Sequence, residues 1–166
     1  HAVCRILYPY FDKKFIYHSY SSRLSKGTHR AICRFLKFYR KVSRNNTRTC
    51  WVLKCDIKRF FDNIDHEILL DILKHHIIDP DIIWLLERII YSFLKTLGKG
   101  LPLGNLTSQL FVNIYMNEFD QFVKRALGVK YYIRFADDFV ILSHDKVWLE
   151  ELTFKIGDFL TENLKL

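Results

Sequence analysis

Three aspartates carry the chemistry this sequence is equipped for: Asp56, and the adjacent pair Asp137-Asp138. Asp56 lies in the run Trp51-Val52-Leu53-Lys54-Cys55-Asp56-Ile57, where Trp51, Leu53, Cys55 and Ile57 alternate with Val52, Lys54 and Asp56. That period of two predicts a strand, with Asp56 near its end and away from the more apolar face. Asp137 and Asp138 join two β-type runs, 131–135 and 139–142, so a hairpin with both carboxylates at its tip is expected. If the two strands are neighbours in one sheet, the three carboxylates meet. Such hard oxygen donors suit two Mg²⁺ ions, with Mn²⁺ the expected substitute, because Mg²⁺ keeps some waters and completes its shell with substrate phosphates. Two ions roughly 3.5–4 Å apart activate an attacking oxygen and stabilise a leaving one in an in-line displacement, so the implied chemistry is phosphodiester formation or cleavage. An Asp-Asp pair is also ordinary turn chemistry, since aspartate tolerates turn backbones, and spacing alone does not decide.

The elements that must hold these residues follow from periodicity and punctuation. The chain has 166 residues, 49% hydrophobic and 16% aromatic, enough for one packed core and too much for global disorder. Its net charge of +8 is uneven: the first fifty residues hold twelve Lys and Arg against one acid, Asp12, and the rest hold fourteen against seventeen. A basic third beside a carboxylate-gathering remainder suggests a surface that meets a polyanion. After an opening apolar stretch, residues 19–29 are small and polar around Gly27, and then Ala31, Ile32, Phe35, Phe38, Tyr39 and Val42 recur at helical spacing. The opposite face carries Arg30, Arg34, Lys37, Arg40 and Lys41, followed by Arg44 and Arg48. This is either a track for a nucleic-acid backbone or a solvated helix face. Asn63 or Asp65 can cap a helix running to about His75, where His75-His76 reads as a helix end, and Asp79-Pro80 opens another ending near Leu97. Gly98, Gly100, Pro102 and Gly104 break the chain before a long helix from Thr107 or Ser108. Its apolar stripe is Leu110, Phe111, Ile114, Tyr115, Phe119, Phe122, Val123 and Ala126, with Gly128 as C-cap. Residues 147–164 are again helical in pattern. The order α, β, α, α, α, β, β, α gives an α+β fold, an antiparallel sheet covered by helices.

Cys4, Cys33, Cys50 and Cys55 show no C-x-x-C pair and no zinc-ligand spacing with histidine, which fits a reducing cytoplasm better than a disulfide scaffold. No apolar run approaches the ~20 residues that span a bilayer. The absence of an initiator methionine and the stop at Leu166 suggest a piece of something longer.

The company of the aspartates resembles the reverse transcriptases, RNA-directed DNA polymerases with a right-hand fold of fingers, palm and thumb. Asp56-Ile57-Lys58-Arg59-Phe60-Phe61-Asp62 is similar to the family's first palm motif. Gly100-Leu101-Pro102-Leu103-Gly104 with its following helix is similar to the second, and Phe135-Ala136-Asp137-Asp138 to the third, with Phe135 where tyrosine is most common. Upstream, Ser19-Tyr20-Ser21-Ser22-Arg23 with Lys26 and His29 resembles the fingers segment. The resemblance implies a fingers-like basic segment over 1–50 and a palm over 51–166 with a helical insertion at 63–98, the thumb and an N-terminal stretch lying outside. It implies that Asp56 and Asp137 ligate both metals, with Asp138 in support and the Ile57 backbone carbonyl as a further donor. It implies that Arg23 and Lys26 reach the incoming deoxynucleoside triphosphate, that backbone N–H groups near Arg59 and Phe60 hold its oxygens, and that Leu103 and Gly104 border it. Phe61, five residues after Asp56, matches the aromatic that blocks a ribose 2′-OH; alone it would read as core packing beside Phe60.

The string Leu103-Gly104-Asn105-Leu106-Thr107-Ser108-Gln109 is similar to the signature of diversity-generating retroelement reverse transcriptases of bacteria and phages, which copy an RNA template with errors at adenines. Most relatives carry glutamine where this chain has Leu103, and leucine supplies apolar contact where glutamine would hydrogen-bond. The implied partners are an RNA template, a DNA primer, deoxynucleotides and a small basic accessory protein, with no membrane. The same signature is open to a second reading, an unclassified or defence-associated bacterial reverse transcriptase; retrons and group II intron maturases fit these residues less well. Two other classes stay open. A binding module could keep the polymerase fold without turnover, and a two-metal nuclease would have no use for the glycine-rich motif before the long helix.

Overall fold

The computed structural model describes residues 2–92, 98–102 and 104–166. Its elements are α1 (Ala2–Asp12), α2 (Thr28–Val42), β1 (Trp51–Cys55), α3 (Phe60–Asn63), α4 (His66–His76), α5 (Pro80–Tyr91), α6 (Leu106–Gln121), β2 (Tyr132–Phe135), β3 (Asp138–Ser143) and α7 (Lys146–Leu164). Local chemistry explains most of the boundaries. Asp65 caps α4 by accepting from the Glu67 and Ile68 amides, and Asp79 caps α5 ahead of Pro80, whose missing N–H costs nothing there. The expected end of α5 near Leu97 lies outside the described residues; within them the helix closes at Tyr91. The long helix starts earlier than Thr107, because Asn105 accepts from the Thr107 amide and makes Leu106 the first helical residue.

The sheet is antiparallel in the order β1-β3-β2. Leu53, Cys55, Tyr132, Phe139 and Ile141 pack into the larger core with α6 and α7. Ile133 and Leu142, on the opposite face, pack with Tyr20 and with Phe38 and Val42 of α2. Helix α6 runs through the middle. Its expected apolar stripe is replaced by burial almost all round, including Ser108, Asn113, Asn117 and Asp120, since α1, α4, α7 and the sheet surround it. The helix then widens into a π-helical turn over Phe122–Ala126. Phe122 there stacks on Phe159 of α7, with ring centres 4.1 Å apart, and Ala126 is exposed rather than in the stripe. Trp51, on the predicted apolar face of β1, is 42% exposed.

A strap ties the glycine-rich segment to the end of α3. Gly100 N–H donates to Ile64 O at 2.9 Å, Leu101 N–H to Phe61 O at 2.8 Å, and the His66 ring meets Gly100 O at 2.7 Å. Gly100 has φ +95°, and a Cβ there would lie 3.4 Å from Asp62 O. Gly100→Ala is therefore expected to destabilise the fold by about 1–3 kcal/mol, read as a lower urea midpoint at unchanged slope.

The loop before α2 adds an edge to β2. Arg134 N–H donates to His18 O and Tyr20 N–H to Arg134 O, both at 3.0 Å. The His18 ring packs edge-on against Phe38, centres 4.9 Å apart, and burial, with Arg34, Lys124 and Lys26 nearby, lowers its pKa to about 4. Between the unfolded value near 6.5 and about 4, the unfolded chain takes up a proton that the folded chain refuses. Its contribution is thus complete above this window and is lost as pH falls through it. His18→Phe is expected to shrink the loss of stability between pH 7 and pH 5, compared by urea melts of both proteins; an equal loss in both would reject the assignment.

Candidate active site

The pairing of β1 with β3 decides where the aspartates fall. Cys55 faces Phe139 in antiparallel register, so Asp56, one residue further, leaves the sheet at the end where Asp138 enters β3. Asp138 is itself paired with Phe135, which leaves a two-residue connection, Ala136-Asp137. The expected hairpin is present, but its tip holds one carboxylate, with the second on the first residue of the next strand. Strand β1 also stops at Cys55, two residues short of the predicted run, which frees Asp56 and Ile57 for the turn into α3. Ile57 buries its side chain in the core, and Arg59 in the left-handed region redirects the backbone into α3.

Electrostatics report the convergence. The Asp137 carboxyl is held above the usual range, first by burial and then by repulsion from Asp56 and Asp138, against the lowering pull of its own backbone N–H and of Arg134. Carboxylates that repel one another at a partly shielded sheet end form a place where a cation is favoured. Asp138 also lies 3.9 Å from the Lys54 ammonium, both largely exposed. Among the described residues no three His, Cys, Asp or Glu side chains form a ready-made metal cage.

The other predicted residues fall in several separate surroundings. Phe60 is buried in the core and Phe61 is partly buried, their rings edge-to-face at 5.7 Å. Gly104 is exposed with φ +80°, and Leu103 lies outside the described residues. Arg23 turns inward. Its guanidinium donates to Asp12 Oδ1 at 2.6 Å, Ile16 O at 2.7 Å, Ser19 O at 3.1 Å and Asp12 O at 3.2 Å, and its side chain is 6% exposed. In this arrangement it braces the loop after α1 instead of presenting a phosphate-binding fork. Lys26 donates to Tyr17 O at 2.8 Å and sits over the Tyr17 ring at 3.5 Å. Arg30, Lys37, Arg40 and Lys41 are exposed along α2, whereas Arg34 leans on the Tyr17 and Phe38 rings. Between α1, the 22–24 loop and the first turns of α6 opens a mostly apolar cleft of about 520 Å³ lined by Tyr8, Leu24, Leu106 and Gln109.

One cluster escaped the sequence reading. Arg134 on β2 is fully buried, paired with fully buried Asp120 on α6. Tyr132 O–H also donates to Asp120, at 2.7 Å. The available signal was a charge at an inward strand position, two residues from Tyr132, together with an acid on the buried length of α6.

Residues 2–165 match the family model described as reverse transcriptase (RNA-dependent DNA polymerase). Protein YkfC of Escherichia coli (strain K12) is 26% identical over an alignment covering 99% of this chain and 53% of YkfC. The group II intron-encoded protein LtrA of Lactococcus lactis subsp. cremoris is 30% identical, over 74% of this chain and 20% of LtrA. The chain thus spans about half, or less, of the curated relatives it matches. Among solved structures, apo telomerase from Candida tropicalis truncated from its C-terminal domain superposes with TM-score 0.65 at 17% identity, over 98% of this chain and 37% of that one. The α+β arrangement is accordingly that of a right-hand polymerase.

Proposed function

Since this chain belongs to the reverse transcriptase family, we propose that it supplies the fingers and palm of an RNA-directed DNA polymerase that joins deoxynucleotides to a primer 3′-OH on an RNA template. The observation that carries this reading is the register of β1 on β3, which delivers Asp56, Asp137 and Asp138 to one end of the sheet. Residues 1–50 serve as fingers and 51–166 as palm, with 63–98 as the helical insertion. Asp56 and Asp137 would hold two Mg²⁺ ions, or Mn²⁺ in their place, with Asp138 and the Ile57 carbonyl in support. When bound, such ions supply charge stabilisation at the attacking and leaving oxygens. The chain's own residues do the rest. The carboxylates set where the primer end and triphosphate meet, and Arg30, Lys37, Arg40 and Lys41 form a face for the template backbone. Lys26 and the backbone around Arg59, Phe60 and Gly104 border the triphosphate, while Arg23 keeps the loop in shape. Phe61 screens the sugar: Phe61→Ala is expected to raise ribonucleotide incorporation by about tenfold or more, measured with mixed nucleotide pools, and unchanged discrimination would remove the assignment.

Two subtypes divide the finer reading. The string from Leu103 to Gln109 supports error-prone retroelement synthesis, with a small basic accessory protein as partner and the cytoplasm as its place. The intron-encoded relatives favour an intron-type enzyme. Among the described residues, no helix is long and apolar enough to cross a membrane. The test is primer extension on RNA with deoxynucleotides and Mg²⁺, followed by sequencing of the products. Errors concentrated opposite template adenines support the retroelement subtype, an even error spectrum supports the intron type, and failure to extend, also by a longer chain carrying the thumb, overturns the polymerase reading.

A further inference from the structure

We propose that Arg134 and Asp120 are a positioning pair for the turn that carries Asp137: the buried guanidinium fixes the backbone of Ala136, and so the direction in which Asp137 presents its carboxylate. This rests on the reading of Asp56, Asp137 and Asp138 as the metal-holding carboxylates. All five guanidinium donors are used. Nε and Nη2 donate to the two Asp120 oxygens at 2.8 and 2.7 Å, the paired geometry that best fixes a guanidinium plane. Nη2 also reaches Ser19 Oγ at 3.2 Å. Nη1 is shared between Asn113 Oδ1 at 3.4 Å and, at 2.8 Å, the carbonyl of Ala136, the residue next to Asp137.

The turn needs such a hold. Ala136 has φ 56°, a left-handed backbone unfavourable for a residue with a Cβ, and neither residue of the connection is glycine. A guanidinium tied to Asp120 of α6 and bonded to the Ala136 carbonyl, just before the carboxylate, holds that backbone in place. A buried ion pair is often replaceable by apolar residues of similar volume without loss of stability. A positioning role and a merely structural one therefore make different predictions.

The experiment compares the parent with Arg134→Met/Asp120→Leu, Arg134→Lys and Asp137→Ala, following thermal melting, Mn²⁺ binding by electron paramagnetic resonance without nucleic acid, and the Mg²⁺ dependence of primer extension. The double variant is expected to melt near the parent while its Mn²⁺ dissociation constant and the Mg²⁺ needed for half-maximal extension rise roughly 10–100-fold. Arg134→Lys keeps a charge beside Asp120 but lacks the fork that also reaches Ala136, and is expected to show the same loss; it carries the test if the double variant does not fold. A folded variant of either kind that binds Mn²⁺ and extends like the parent, while Asp137→Ala does not, overturns the positioning role alone. Unchanged Mn²⁺ binding in Asp137→Ala overturns the metal-site reading, and the positioning role with it.

Discussion

Replacing Asp137 by alanine is expected to lower RNA-templated DNA synthesis by about 10³-fold or more while the protein stays folded, as a group that stabilises charge only during reaction would require. Fold and charge give this outcome two halves. Asp137 stands in a two-residue connection, outside both strand ladders, so its removal breaks no core contact. Its carboxyl is held above the usual range by burial and by Asp56 and Asp138, so the folded state binds its proton more tightly than the unfolded chain does. A raised carboxyl costs stability as pH climbs past the ordinary aspartate range, and alanine relieves that cost. The variant should accordingly melt at or slightly above the parent at neutral pH. Single-nucleotide addition rates and thermal melts of the same preparations check both halves together. Activity within tenfold of the parent would exclude Asp137 as a principal metal ligand, and a large fall in melting temperature would make lost activity a folding effect.

The opposite balance is expected one turn of chain away. Arg134→Met alone, or Asp120→Leu alone, should destabilise the fold by about 3–5 kcal/mol, because each leaves an uncompensated charge where both partners are fully buried. For a chain of this size that corresponds to a melting temperature lower by roughly 10 °C. The double substitution should recover most of the loss, since it removes both charges at once. A double-mutant cycle from denaturant melts gives the coupling directly, and additive single effects would mean that the two side chains do not act as a pair.

These two sites also show what could be read beforehand. The aspartates were legible because strand alternation around Asp56 and the two β-runs around Asp137 place them at strand ends, where only the neighbour relation of the strands was left open. Asp65 and Asp79 were legible as caps, since a cap depends on a few adjacent residues. Arg134 was not. No local rule buries it or pairs it with an acid fourteen residues earlier on a different element. The surroundings of α6 were hidden for the same reason, as a stripe becomes all-round burial only when other helices arrive. Helix α1 had no clear signature in the opening apolar stretch, and it accommodates Pro9, a residue that removes a helical hydrogen bond. Arg23 shows the converse. Its motif suggested a ligand contact, and the nearby Asp12 and loop carbonyls take its donors instead.

The packing of α2 across the second face of the sheet has a consequence for how the molecule comes apart. Phe38 and Val42 belong to the same cluster as Ile133 and Leu142, and the 18–20 segment is stitched to β2 by backbone bonds. The segment before residue 50 and the sheet after it are therefore expected to unfold together, as one transition in calorimetry, and any hinge between them to lie beyond α2's contact with the sheet.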